Sequence, residues 1–321
     1  MKKYLVLDYG GSSVKISLMD ENANRLYDTE KPAPTSSLDE MKSFAQALAE
    51  EHKNEYSGVA VSLPGIIDIE KGIAHTGSPY RFENGTPLAQ IYEEIFSAPV
   101  VIANDGKCAA NAELRQGALK GVESGAIVGL GTGIAGGIII NGKVWNGSRG
   151  AAGELSFYPH DFAKLINVAN MPLPKLKDGV KEYDTYVYDA TWESIASATA
   201  LLERYCVNKG FPYKRSEMDG REFFRAYDSG DEIAARTLDE FSMYVAAGIF
   251  SMQIVLDAER YAIGGGISAR PEVTEKINAA YKKIARTQPD LTVPEIVPCR
   301  FRGGANQIGA LMFFFEQKGR G

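Results

Sequence analysis

Two aspartates in this chain each stand at the end of an apolar run that has the length of a buried strand. Asp8 ends the run YLVLD, and Asp105 follows the run PVVIAN. An aspartate at a strand end can hold Mg²⁺, directly or through water, and an aspartate beside a substrate can take a proton from an attacking hydroxyl group. Taken alone, Asp8 is more readily explained as a turn residue, and Asp105 also suits a helix N-cap.

Three glycine turns form a second set of candidate residues, because each of them follows a predicted strand. Glycine lets backbone N–H groups approach a ligand closely, successive N–H groups make anion-binding nests, and neighbouring hydroxyl groups add donors. None of the turns matches the G-x-x-x-x-G-K-S/T loop, and the first opens into a strand rather than a helix. Together the three turns indicate a nucleotide. The predicted nucleotide contacts are Gly10, Gly11, Ser12, Ser13, Gly131, Thr132, Gly133, Gly264, Gly265 and Gly266.

The stretch RGAAGELSFYPHDF, residues 149–162, carries one acid after a run of small residues. The acid is Glu154, and two aromatic residues and a histidine follow it. The residues by themselves fit a metal site, a sugar-binding edge or a packed turn. A structural zinc site needs about four closely spaced Cys or His ligands, and the three cysteines of the chain are far apart. We therefore expect no zinc site. We interpret His160 as a surface or packing residue, and we assign Phe157, with its neighbours Tyr158 and Pro159, to packing.

Strands that alternate with helices must position these residues, and they predict α/β lobes with mixed sheets. The predicted strands are 4–8, 14–19, 58–63, 99–104, 125–130, 136–140, 260–263 and 295–301. The predicted helices are 37–52, 106–119, 191–210, 231–257, 271–286 and 304–317. Ser37 and Glu40 fit a capping box at the start of the first helix. The order strand, glycine turn, strand recurs about 120 residues later, which suggests that a lobe was duplicated.

The bulk composition limits the class of protein. A chain of 321 residues is longer than one core usually holds, so we expect two lobes. The net charge of −6 argues against a nucleic-acid or membrane-surface partner, since both need a basic face. The N-terminal stretch does not read as a secretory signal, and no apolar run is long enough to span a membrane. These features predict a cytoplasmic protein.

The ordered motifs of the chain resemble those of the ROK family of sugar kinases, within the actin-like ATPase superfamily. The matching segments span nearly the whole chain. They are DYGGSSVKI (8–16), SLPGIID (62–68), NDGKCAANAELRQG (104–117), GLGTGIAGGI (129–138), GAAGEL (150–155) and AIGGGIS (262–268). Each motif is moderately specific, whereas the ordered set is strongly so.

The resemblance implies an architecture, an activity and cofactors. The fold would be the two-lobed actin-like ATPase (ribonuclease H-like) α/β fold, with a small lobe at 1–120 completed by helix 304–317, and a large lobe at 121–303. ATP would lie in the cleft between the lobes. Asp8 would position Mg²⁺, and Asp105 would take the proton of the 6-hydroxyl group of a sugar. The family also suggests a homodimer through the larger lobe.

The resemblance also implies which residues contact the sugar. Gly65 would offer backbone groups, Asn104 and Asp105 would bind the far hydroxyl groups, and Glu154 would bind the anomeric end. Asn84 stands where the family has an asparagine-containing segment, although its spacing does not match. Lys15 and Lys107 are each best explained as solvated lysines.

The chain departs from the family just after Glu154. Many members continue as G-E-x-G-H, with a histidine that contacts sugar and zinc, and here Phe157 takes its place. The substrate therefore stays open among glucose, N-acetylmannosamine, another hexose and a β-glucoside, and so does the phosphate donor, ATP or polyphosphate. We expect segment 160–190 to replace the zinc knuckle and to cover the sugar side of the cleft.

Three other functions compete with sugar phosphorylation. A sugar-responsive repressor of this family would need a helix-turn-helix before the first strand, and only three residues precede that strand here. A sugar-binding protein with an inactive site conflicts with an intact Asp105 and intact phosphate loops. An actin-like ATPase that uses no sugar does not account for SLPGIID and NDGKCAANAE.

Overall fold

The computed structural model describes residues 2–77, 79–170, 176–177, 180–181, 189–301 and 303–319. The chain divides into two compact units. The first comprises Met1–Glu123, Gly137–Gly153 and Arg300–Gly321, and the second comprises Ser124–Gly136 and Glu154–Cys299. Residues 137–153 thus lie in the first unit, whereas the sequence grouped them with the large lobe. Part of segment 160–190 falls outside the described residues, and so does the role predicted for it.

The strands and helices alternate along most of the chain. The strands are β1 (Lys3–Tyr9), β2 (Ser13–Asp20), β3 (Arg25–Pro32), β4 (Val59–Leu63), β5 (Ile67–Asp68), β6 (Ile73–Ala74), β7 (Val100–Asn104), β8 (Ser124–Leu130), β9 (Ile134–Ile140), β10 (Lys143–Trp145), β11 (Leu176–Lys177), β12 (Val180–Lys181), β13 (Arg260–Gly264) and β14 (Glu295–Pro298). The helices are α1 (Leu38–Glu51), α2 (Leu88–Phe96), α3 (Asp105–Gln116), α4 (Phe162–Ala169), α5 (Glu193–Ala196), α6 (Ala198–Asn208), α7 (Gly220–Asp228), α8 (Glu232–Leu256), α9 (Pro271–Ala285) and α10 (Ala305–Lys318).

The first five-stranded sheet has the order β3-β2-β1-β4-β7. The β1–β2 and β2–β3 pairs are antiparallel, and β4 and β7 continue the sheet parallel to β1. The register sets Asp8 of β1 opposite Ser62 of β4, and Leu63 opposite Asn104 of β7. Since the carboxyl ends of parallel strands meet at one edge of a sheet, this edge collects the polar residues of the site.

The second five-stranded sheet has the order β10-β9-β8-β13-β14, so its strands follow each other as in the first sheet. This repeated order supports the predicted duplication. The parallel β8–β13 pair sets Gly129 opposite Gly264. The glycine turns that follow β8 and β13 therefore leave the sheet at the same edge.

Each unit has a hydrophobic core of its own. In the first, the apolar faces of β1, β4 and β7 pack under α1 and α10. In the second, α8 and α9 cover the sheet, and Trp192, Phe241 and Tyr281 are fully or almost fully buried. The mixed α/β fold predicted from the sequence is thus confirmed.

Several elements differ from the sequence prediction. Helix α1 starts as predicted, with the Ser37 hydroxyl accepting a hydrogen bond from Glu40 N, although the Glu40 carboxylate accepts from Ser36 N. The helix predicted at 191–210 breaks at Ser197, whose hydroxyl caps α6 through Ala200 N. Strand β3 was not predicted, because most residues of this edge strand are exposed and most are polar.

Candidate active site

Asp8 lies near the end of β1, at the carboxyl edge of the first sheet. Only 7% of the residue is exposed. Its Oδ1 atom accepts hydrogen bonds from Ser62 Oγ at 2.9 Å and from Asn306 Nδ2 at 3.1 Å. Both donors are neutral, so they hold the carboxylate in place without neutralising its negative charge. A fixed carboxylate oxygen is the kind of ligand that Mg²⁺ prefers, so Asp8 fits the predicted metal role.

Asp105 is the first residue of α3 and follows β7 directly. Its Oδ1 atom accepts hydrogen bonds from Gly106 N at 2.8 Å and from Asn104 Nδ2 at 3.1 Å. Asn104 Nδ2 also donates to the Gly65 carbonyl at 2.8 Å, while Asn104 Oδ1 caps α3 through Lys107 N. The structure therefore brings together three of the predicted sugar contacts, Gly65, Asn104 and Asp105. The helix N-cap is Asn104, so Asp105 is left for another role.

The electrostatic setting of Asp105 suits proton transfer. Burial raises the pKa of its carboxyl group above the ordinary range, the hydrogen bond from Gly106 N lowers it, and the nearby charge of Asp8 raises it again. A base is most effective when its pKa moves toward the operating pH. The direction of the shift at Asp105 is the one that a general base needs.

Lys107 is fully buried, so the prediction of a solvated lysine is wrong. Its Nζ atom donates to the carbonyl of Gly150 at 2.7 Å. The first turn of α3 packs closely against a glycine of β9: a Cβ atom at Gly137 would lie 3.0 Å from the Gly106 carbonyl oxygen and 3.5 Å from Lys107 Cα. Tertiary packing encloses this turn, which the local sequence does not reveal. Lys15, on β2, is exposed as predicted.

Phosphate loop one, residues 10–13, is a tight turn between β1 and β2. Gly10 N donates to the Ser13 carbonyl at 2.9 Å, and the Ser13 hydroxyl donates to the Glu30 carboxylate. Tyr80, which is 4% exposed, donates its hydroxyl group to the Gly10 carbonyl at 2.5 Å. Tyr80 was not predicted as a site residue, since a single tyrosine in an irregular segment gives no local signal of such a role.

Asn84 is exposed, and its Oδ1 atom lies 2.8 Å from His75 Nδ1. The β5–β6 hairpin, with the bridge from Ala74 to Thr86 in the turn after it, brings the two residues together. The role of Asn84 toward a sugar stays a prediction.

Phosphate loop two, residues 131–133, joins β8 to β9 in the second unit. Ala198 N, at the start of α6, donates to the Gly131 carbonyl at 2.9 Å. A Cβ atom at Gly133 would lie 2.5 Å from Glu193 Oε2 and 2.8 Å from Ser156 Oγ. Burial raises the pKa of Glu193, and its hydrogen bond with Ser156 lowers it. Glu193, the first residue of α5, thus places its carboxylate beside this loop. Its distance from the loop in sequence explains why it was not predicted as a site residue.

Glu154 is half-buried and stands directly before the short 3-10 turn Leu155–Phe157. Phe157 is 56% exposed, so the assignment of this residue to packing is wrong. Its neighbour Tyr158 does pack, with its carbonyl accepting from Trp192 N at 2.7 Å and its ring edge-on to the Trp192 indole. The pairing of this segment with Thr191 and Trp192 fixes Tyr158 and leaves Phe157 at the surface.

A cavity of about 880 Å³ lies within the second unit. Gly131 and Thr132 of phosphate loop two form part of its wall, and so does Gly266. Apolar side chains, four arginines and two aspartates form much of the remaining lining, among them Leu202, Tyr213, Met218, Phe224, Arg215, Arg221, Asp219 and Asp228. A pocket of this size with apolar walls and a cationic margin fits a nucleotide.

The glycines at 264–266 do not share one role. Gly265 has φ +87°, and a Cβ atom there would lie 2.1 Å from the Leu130 carbonyl oxygen. At Gly264 a Cβ atom would lie 3.1 Å from Cys299 Sγ, whereas nothing lies within 4 Å of such an atom at Gly266. Gly264 and Gly265 thus serve close backbone packing, and Gly266 is the member that lines the cavity.

The described residues contain no group of three or more His, Cys, Asp or Glu side chains that could hold a metal ion. None of the helices in the described part of the chain combines the length and the apolar character that a membrane crossing requires.

The repeated strand order of the two sheets, the glycine turns at their carboxyl edges and the aspartates Asp8 and Asp105 at the edge of the first sheet define an actin-like ATPase fold. The family model of the ROK family matches residues 4–317, which is nearly the whole chain. The chain belongs to the ROK family, as its motifs predicted.

Three relatives show which proteins this chain is similar to. A beta-glucoside kinase from Listeria innocua is 26% identical over 322 residues, with 99% of both chains covered. An N-acetyl-D-glucosamine kinase from Vibrio atlanticus is 28% identical over 83% of this chain and 84% of its own length. The crystal structure of a ROK hexokinase from Thermus thermophilus superposes with a TM-score of 0.74, at 25% identity and with 98% and 99% of the chains covered. The enzyme class is thereby that of a sugar kinase.

Proposed function

We propose that this enzyme transfers the γ-phosphoryl group of Mg·ATP to the 6-hydroxyl group of a hexose or an N-acylated hexosamine. The observation that carries the proposal is the arrangement around Asp105. Its carboxylate is held through Oδ1 by Asn104 and Gly106, and Asn104 in turn holds the Gly65 carbonyl. A carboxylate fixed on one oxygen, with a raised pKa, is suited to accept a proton on the other.

The reaction would then run as a direct displacement. The sugar 6-hydroxyl oxygen forms a bond to the γ-phosphorus while the bond from that phosphorus to ADP breaks, and the hydroxyl proton passes to Asp105 Oδ2. Asn104 and the Gly65 backbone orient the acceptor, and Glu154 binds the anomeric end. Positioning of this kind converts an encounter of two molecules into a reaction within one complex. Asp8 would hold Mg²⁺, directly or through water, and the bound ion would neutralise part of the phosphate charge.

The cavity of the second unit supports the proposed binding of the nucleotide. Gly131, Thr132 and Gly266 form part of its wall, and its arginines suit the charge of a nucleotide. We propose that the base and ribose occupy this cavity and that the backbone N–H groups of residues 131–133 contact the phosphates. Phosphate loop one would contact the transferred group through Gly11 and Ser12, both of which are exposed.

A β-glucoside is the second candidate substrate, and Phe157 favours it. This ring is 56% exposed and stands three residues after Glu154, the residue proposed for the anomeric end of the sugar. An exposed aromatic face packs well against the apolar face of a second sugar ring or another aglycone. The Listeria innocua relative, which this chain matches over its whole length, is named a beta-glucoside kinase.

A sugar panel tests both candidates. ADP formation is measured at fixed Mg·ATP with glucose, N-acetylmannosamine, N-acetylglucosamine and cellobiose, and then with polyphosphate in place of ATP. Phosphorus NMR of the product identifies a 6-phosphate. We expect sugar-stimulated ADP release that is absent in Asp105→Asn. No stimulation by any sugar would defeat the proposal, and a strict preference for free glucose would count against the β-glucoside.

We further propose a homodimer formed through the second unit. Ile254 and Val255, at the end of α8, are 59% and 80% exposed, which is unusual for two successive apolar residues on a helix. Sedimentation of the wild type and of Val255→Asp tests this. A monomeric wild type would contradict it.

A further inference from the structure

We propose that Lys107 is a positioning residue for sugar phosphorylation. Its ammonium group holds the Gly150 carbonyl and thereby anchors the segment that leads into Glu154 to the helix that carries Asp105. The inference rests on the proposed function, because it concerns segments that carry proposed sugar contacts.

The contact joins two segments of the first unit that are distant in sequence. Lys107 lies in the first turn of α3, two residues after Asp105, and its Nζ atom is 2.7 Å from the Gly150 carbonyl oxygen. Gly150 has φ +84°, and a Cβ atom there would lie 2.0 Å from the Ile67 carbonyl oxygen. Gly150 is therefore fixed from two sides, by the lysine and by the backbone of β5, which follows the Gly65 turn.

The cost of burying this lysine argues for a role beyond packing. An ammonium group loses its hydration when it is fully buried, and the N-terminus of a helix is the positive end of the helix dipole. An apolar residue of similar size would fill the space without either cost. The charge of Lys107 lowers the pKa of Asp105 and so favours the ionised carboxylate, the form that can accept a proton. The buried lysine thus supplies a charge as well as an anchor.

The position of Gly150 in the chain explains what the anchor does. Gly150 precedes Glu154 by four residues, and the chain passes from the first unit to the second between Gly153 and Glu154. A carbonyl held at this point fixes the last stretch of the first unit before the proposed sugar ligand. Losing the anchor should therefore affect the sugar more than the nucleotide.

Steady-state kinetics of Lys107→Met tests the proposal, since methionine keeps the apolar stem and removes the donor and the charge. We expect kcat/KM for the sugar to fall at least about tenfold, the loss typical of a buried hydrogen bond to a charged group, while KM for ATP stays within about twofold. Lys107→Gln keeps a donor without the charge and should recover part of the loss. Lys15→Met, which removes an exposed lysine, is the matched control and should behave as the wild type.

Hydrogen exchange gives a readout that needs no activity. In the absence of ligands, the amide of Ala152, which donates to the Asn146 carbonyl, should exchange at least about tenfold faster in Lys107→Met than in the wild type, because the anchor that holds this segment is gone. Unchanged exchange there would overturn the anchoring, even if the sugar panel also failed. Equal losses toward sugar and ATP, in both Lys107→Met and Lys107→Gln, would show a purely structural role and would overturn the positioning.

Discussion

Replacement of Asp105 by asparagine separates catalysis from folding more cleanly than any other change in the site. Asparagine has the same shape, and its Oδ1 atom can keep the hydrogen bonds from Gly106 N and Asn104 Nδ2. The helix cap is unaffected, because Asn104 and not Asp105 caps α3. The substitution removes only the charge and the ability to accept a proton at Oδ2.

The expected loss of turnover follows from the role of a general base, which contributes about 10²–10⁴ to the rate. The folding stability of Asp105→Asn should not fall together with its turnover. The pKa of Asp105 is raised in the folded state, so ionisation of this carboxyl group costs folding free energy as the pH rises through its unfolded pKa toward its folded pKa. Above the folded pKa the full cost is present, and the neutral asparagine removes it. Asp105→Asn should therefore melt at the same temperature as the wild type or higher.

The assay combines ADP release, calorimetric titration with sugar and with ATP, and thermal unfolding. Asp39→Asn, at an exposed aspartate in the first turn of α1, is the matched control for the loss of one negative charge. The wild-type kcat/KM should fall with decreasing pH through the pKa of Asp105, which lies above the value of about 3.9 for a free aspartate. Turnover of Asp105→Asn within a few-fold of the wild type, with sugar binding retained, would refute the assignment of the base.

Three further predictions address the remaining parts of the site. Asp8→Asn should raise the Mg²⁺ concentration that gives the half-maximal rate at least about tenfold, and an unchanged Mg²⁺ titration would contradict this. The same variant should shift the acid limb of the pH profile of kcat/KM to lower pH, since the Asp8 charge raises the pKa of Asp105. Glu154→Gln should raise KM for the sugar about 10- to 100-fold, as loss of a charged hydrogen-bond partner implies, and leave KM for ATP alone. Gly265→Ala should lower the free energy of unfolding by about 3 kcal/mol, measured in urea, because its φ of +87° and the Leu130 carbonyl exclude a side chain. Gly266→Ala, where a Cβ atom meets nothing within 4 Å, should leave stability unchanged, and equal stability of both variants would refute the argument.

The elements were predictable where the local pattern was strong. The strands around the glycine turns, the helix after Asp105 and the long helix α8 lie where apolar runs and turn residues put them. Strand β3 was not predictable, because an exposed edge strand of polar residues carries no alternation for a sequence pattern to detect. The break at Ser197 was also missed, since a serine that caps a new helix looks like an ordinary serine within one.

The sequence by itself determined the family, the α/β class and the ordered set of glycine turns and acids, because each motif is a short local pattern and the order of the motifs can be read along the chain. It could not determine the state of single side chains. Lys107 and Phe157 were assigned the wrong surroundings: the lysine is buried on the Gly150 carbonyl, and the phenylalanine is at the surface. Burial depends on what other segments pack against a residue, and those segments come from distant parts of the chain. The joining of Asn104 to Gly65, and of Asp8 to Asn306, was likewise decided only by the tertiary structure, because strand register and helix packing bring these residues together.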